Sequence, residues 1–322
     1  MSDAADRAVR LCLHLVADWL GERTAQAVRL APVAPVPDTW ATIAAGAVDG
    51  RPLAAALVFI VPPDGEGPWY AAKRALEERL SARQGGGYLI WVPQGAELPE
   101  REPGVSEFIL RAEETLARFV PGGHGEIRFP VAVYLRKSDE EGSYVTARGG
   151  LAPHWARFTN RVFGHFQLDS RELYRLPAGE GHLRELIERI VQVAGAVELG
   201  RTVEVPCEDA WVAQRLKGGA GVALIGEPPG AELSAGAGLR RSLRRALQAV
   251  RGPLLSVTAE ARLVCLVGPY TYRAEQPVGT ALLGFDPALY QGIDLICLAC
   301  EGEVMPLLDL TRHPLLAPRA AV

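Results

Sequence analysis

Short apolar, β-rich runs bounded by glycine or proline alternate along this chain with amphipathic helical stretches, and that alternation most constrains its fold. Tyr88-Leu89-Ile90-Trp91-Val92 and Gly221 to Ile225 read as buried strands. Asp6 to Leu20 carries Val9, Cys12, Leu13, Val16 and Leu20 at helical spacing, with His14 on the solvated face. Hairpin signals recur: Asp49-Gly50 separates β-like runs at Thr39 to Val48 and Pro52 to Val61, and the charged tip Lys137 to Gly142 separates Glu126 to Leu135 from Ser143 to Ala147. Helices alternating with strands, but with frequent hairpins, predict an α/β (mixed α+β) fold rather than a purely parallel sheet.

A chain of 322 residues favours two domains over one. The breaker-rich stretch Leu176 to Gly181 is the expected boundary, giving regions 1–176 and 182–322, each a mixed sheet with hairpins flanked by helices. Further helices are expected at Trp69 to Arg83, with Lys73 and Glu77 as an i,i+4 pair, from Ser106, at Pro153 to Phe166, from Leu183, at Ala210 to Leu216 and at Leu239 to Val250. Further strands are expected at Thr202 to Val205, Arg262 to Val267, Gly279 to Phe285, Ile293 to Cys300 and Val304 to Leu310.

With 48% hydrophobic and 22% charged residues the chain has the composition of a globular protein. No apolar run approaches the roughly 18 residues of a membrane span, and the first residues are acidic where a secretory signal is basic. We therefore expect a soluble cytoplasmic protein with no membrane contact. The cysteines Cys12, Cys207, Cys265, Cys297 and Cys300 are too few and scattered for a disulfide scaffold and read as reduced thiols.

The order helix, Pro37-Asp38, hairpin, helix, strand over roughly residues 1–120 resembles the core of the PD-(D/E)XK nuclease superfamily. In that family an Asp entering the hairpin and a Glu-x-Lys on its second strand hold a divalent metal and activate water. Asp38 matches the first position, but the second strand, Pro52 to Ile60, contains neither Glu nor Lys. The resemblance thus implies a degenerate, nuclease-like core without a metal site and without hydrolysis.

Other signatures are incomplete. Val222 to Gly230 looks like the start of a P-loop, but the Gly-Lys-Ser/Thr that would hold phosphates and Mg²⁺ is missing. Cys297 and Cys300 would fall on opposite faces of a strand with no second Cys/His pair nearby. Asp294 and Asp309 could converge across the last hairpin, with Glu301 and Glu303 at its tip, as an alternative metal site. No catalytic residue, cofactor or bound metal is assigned.

Two basic strips stand out against a net charge of -4. On the expected helix 153–166, His154, Arg157, Arg161 and His165 line one face, while Trp155, Phe158, Val162 and Phe166 line the other. On the helix from Leu239, the residues Arg240, Arg241, Arg244, Arg245 and Arg251 point outward. Arginine forks suit phosphate oxygens. The sequence therefore points to a non-catalytic nuclease-like subunit that contacts nucleic acid or a nucleic-acid-processing partner. A protein-interaction subunit without nucleic-acid contact, and a metal-dependent hydrolase with a dispersed acidic site, are the alternatives.

Overall fold

The computed structural model describes residues 2–230, 238–268, 283–309 and 315–317, with the side chains of Glu180 and Leu239 excepted. The fold is mixed α+β with two six-stranded sheets. The chain divides into two compact units, residues 1–125 with 212–322, and residues 126–211. The expected break at 177–181 therefore falls inside the second unit. The helix after it, α4 (Glu180–Ala194), buries Leu186, Ile187 and Ile190 in the same apolar cluster as Val133, Leu135, Phe166 and Leu168, which ties it to the strands before it.

In the first unit, helix α1 (Asp3–Thr24) is capped by Ser2, whose hydroxyl accepts the Ala5 N–H, and ends at Ala25 in the left-handed region. A meander of β1 (Val28–Val36), β2 (Ala41–Val48) and β3 (Arg51–Phe59) follows. The Pro-rich stretch before Asp38 is thus a strand, because its edge position tolerates the missing N–H groups of proline. The β2–β3 turn is the Asp49-Gly50 turn expected, with φ of 49° and 78°. Strand β3 continues in parallel into β10 (Ala261–Val267), which pairs in parallel with β11 (Leu295–Cys300); β12 (Glu303–Asp309) closes the sheet as a hairpin. Helix α5 (Gly238–Ser256) buries Leu243, Leu247, Val250 and Leu254 in the core shared with α1.

The same unit holds α2 (Pro68–Ser81), β4 (Gly87–Trp91), α3 (Gly104–Leu116) and β9 (Gly221–Ile225). Strand β4 pairs in parallel with β9 and antiparallel with residues 212–215 of β8 (Thr202–Arg215). A single strand at β8 replaces the strand and helix expected there. Its Val203, Val205, Trp211 and Val212 favour a pleated surface, and Ala210 to Ala213 are all buried.

The second unit orders its strands β6 (Ser143–Gly149), β7 (Gly164–Ser170), β5 (His124–Asp139, residue 126 onward here) and the first part of β8. The expected β5–β6 hairpin does not form, because β7 lies between them, parallel to β6 and antiparallel to β5. Residues 153–166 are not a helix either. A short 3-10 turn (Ala152–Arg157) is stopped at Asn160, φ 62°, and Gly164, φ 109°, and His165 and Phe166 belong to β7. The expected strand Gly279 to Phe285 lies largely outside the described residues.

Candidate functional site

The second unit has one apolar and one open sheet face. Val145, Phe166, Leu168, Val133 and Leu135 alternate inward and join the α4 cluster. Their strand neighbours face outward in register: Tyr144, Thr146 and Arg148 on β6, His165, Gln167 and Asp169 on β7, and Arg136 and Tyr134 on β5. Tyr144 stacks on His165 with centroids 4.0 Å apart and planes 20° apart, and the His165 ring also hydrogen-bonds Thr146 Oγ1 at 3.1 Å. Tyr144 nevertheless stays 47% exposed and Tyr134 39%, while Phe163, two residues before His165, is 80% exposed.

Charge on this face is uneven. Asp169 lies below the ordinary carboxylate range, because the Arg171 side chain binds both its oxygens at 2.6 to 3.1 Å. Tyr134 is held up by the nearby Glu172, followed by Glu204, so an acidic margin borders β5. Arg136 and Arg148 are exposed on the β5 and β6 strands.

The residues named by the sequence are distributed as follows. Arg157 is exposed, Arg161 is held by Glu188 at 2.6 Å, and His154 is shifted downward by burial and then by the Arg157 charge, which disfavours its cationic form. On α5, Arg240 and Arg244 lie over the Phe285 ring at 5.4 and 5.3 Å, and Arg240 also donates to the Leu283 carbonyl. Arg251 donates to the Gln291 carbonyl at 3.3 Å, and Arg241, Arg244 and Arg245 are exposed. The helix and its outward arginines thus form as the periodicity predicts. The one-sided helical strip at 154–165 does not.

Asp38 sits in the β1–β2 turn with φ 56° and lines an apolar cleft of about 270 Å³ with Val9, Trp40, Phe59 and Pro63; it is the only acid among the residues lining that cleft. Asp294 accepts the Arg262 N–H at 2.8 Å, and Asp309 is paired with Arg23. Asp294 and Asp309 are thus each engaged locally, and no group of three or more metal-ligating side chains occurs among the described residues. All five cysteines are free thiols, and burial pushes Cys207 up to about 11.

One polar cluster escaped sequence reasoning. Strand β9 is a sheet edge, and its outward N–H groups are met by side chains of α2: Val222 donates to Ser81 Oγ and Leu224 to Glu77 Oε1, both at 2.8 Å. Lys73 binds Glu77 at 2.6 Å and the Pro63 carbonyl at 2.8 Å, with both side chains almost fully buried. Burial raises Glu77 despite Lys73. Beyond the strand end, Glu227 is 2% exposed and neither of its oxygens has a hydrogen bond of regular geometry. Burial lifts it to about 7, opposed only by the Gln94 side chain. The i,i+4 spacing of Lys73 and Glu77 was legible; their burial was not, because only the tertiary edge of β9 demands it.

No family model, curated protein or solved structure matches the chain.

Proposed function

We propose that the protein binds single-stranded nucleic acid on the open sheet face of its second unit, as a binding subunit rather than a nuclease. The observation that carries this reading is the exposed Tyr144–His165 stack at one end of the face, with outward Arg136 one row further along and Arg148 and Tyr134 two rows further, and with exposed Phe163 in the segment leading into β7. Unpaired bases present flat π-faces, and a sheet carrying exposed aromatic rings gives them a rigid stacking platform. Two arginines on the face supply phosphate contacts, while Glu172 and Glu204 repel the backbone from the β5 side. The strand is thereby steered along β6 and β7.

Asp38 in an apolar cleft supports binding without hydrolysis, since one carboxylate cannot hold a metal and activate water. The exposed Arg241, Arg244 and Arg245 of α5 offer a second cationic surface.

Fluorescence anisotropy with labelled oligonucleotides tests the reading. Tyr144→Ala weakens binding by about 1–3 kcal/mol, roughly 5- to 150-fold, the worth of one base–aromatic stack. Equal affinity of wild type and Tyr144→Ala, or no binding of any single strand at low salt, overturns it.

A further inference from the structure

A second site lies in the first unit, in a cleft of about 380 Å³, within the size range of small-molecule sites. Its walls come from α1 (Asp18, Trp19, Glu22), from β8 and the residues after it (Gln214, Lys217) and from the β11–β12 turn (Gly302, Glu303). Gln214 is 9% exposed, and its Oε1 is buried without a hydrogen-bond partner. A buried acceptor without a partner has lost its water and gained nothing in return, a deficit that an arriving donor removes. Gly302 adopts φ 76°, and a Cβ there would come to 3.4 Å from that oxygen, so the glycine keeps the wall beside it thin.

The rest of the lining favours positive charge. Asp18, Glu22 and Glu303 contribute three carboxylates against one lysine and the His124 ring. Lys217 is engaged within the wall, its Nζ on Glu22 at 2.8 Å and its backbone N–H on Asp18 at 2.9 Å. Trp19 already takes one cation over its ring, the Arg23 guanidinium at 5.5 Å. We propose that this cleft binds a small organic cation bearing a primary ammonium or guanidinium group. Such a group donates to Gln214 Oε1 and sits among the carboxylates, and its alkyl stem packs on Trp19. An anion is repelled, and a neutral apolar molecule leaves the acceptor unmet.

The test uses the full chain and tryptophan fluorescence, with Trp19→Phe to identify the signal. Putrescine probes a free diamine, agmatine a guanidinium, and Nα-acetyl-lysine amide a protein side chain. Saturable binding of at least one of them at millimolar concentration or below is expected, with the tightest probe naming the source. Gln214→Leu abolishes it, and Glu22→Gln, on a side chain 64% exposed and so compatible with folding, weakens it at least about fivefold. No saturable change with any probe, tighter binding of Ca²⁺ than of the amines, or unchanged affinity in a folded Glu22→Gln protein overturns the proposal.

Discussion

Replacing Glu227 by glutamine should make the protein more stable at pH 8 and leave it unchanged near pH 4.5. In the folded chain the Glu227 carboxyl keeps its proton until about pH 7, whereas the unfolded chain releases it near the ordinary 4.5. Between those values the folded state binds more protons than the unfolded state, so stability falls as pH rises from 4.5 to 7 and then levels off. At ~1.4 kcal/mol per pH unit the ceiling is roughly 3 kcal/mol. Relaxation of the surroundings around the ionised group reduces this, and we expect about 1–2 kcal/mol. Other acids act oppositely: Asp64 and Asp169, both held below their usual range, stabilise the fold at high pH and lose that contribution on acidification. The difference between wild type and Glu227→Gln cancels them. Urea denaturation of both proteins at half-unit pH steps gives two stability curves that meet near pH 4.5 and separate up to pH 7. Curves that stay parallel across that range refute the uncompensated buried carboxyl.

Three further outcomes follow from the fold. Lys73→Met removes the ammonium bound to a fully buried Glu77, and should cost about 3–5 kcal/mol in urea denaturation; a loss under 1 kcal/mol would mean that the pair does not hold the β9 edge. Asp209→Ala strips the acceptor from the Tyr174 and Arg175 N–H groups and from Trp211 Nε1, and should cost about 2–4 kcal/mol with a shift in tryptophan emission; unchanged stability and emission would contradict it. Gly46→Ala places a Cβ 1.7 Å from the Arg29 carbonyl oxygen, so β1 must separate from β2 at a cost of about 3 kcal/mol or more, seen as lost amide protection along Val28–Val36.

Sequence periodicity located α1, α2, α4, α5, β4, β9 and the Asp49-Gly50 hairpin, because each carries its own local pattern or turn chemistry. It failed where tertiary context decides. His165 and Phe166 fit helical spacing with His154 and Phe158, yet Asn160 and Gly164 in left-handed conformations end the turn, and the alternation His165, Gln167, Asp169 serves a sheet face instead. The basic-aromatic character of this segment was legible. Its arrangement was not, since Tyr144 and His165 meet only when β6 and β7 pair in parallel. Similarly, Ala210 to Leu216 suits a helix locally, but pairing with β4 holds residues 212–215 extended. Glu227 left no sequence signal because its isolation depends on what surrounds the strand end.

Photocrosslinking bears most directly on the stacking platform. A 4-thiouridine oligonucleotide irradiated on the intact protein should attach to peptides containing Tyr134, Tyr144 or Phe163. Binding that leaves those peptides unlabelled, with every crosslink on the α5 arginine surface, would contradict the account.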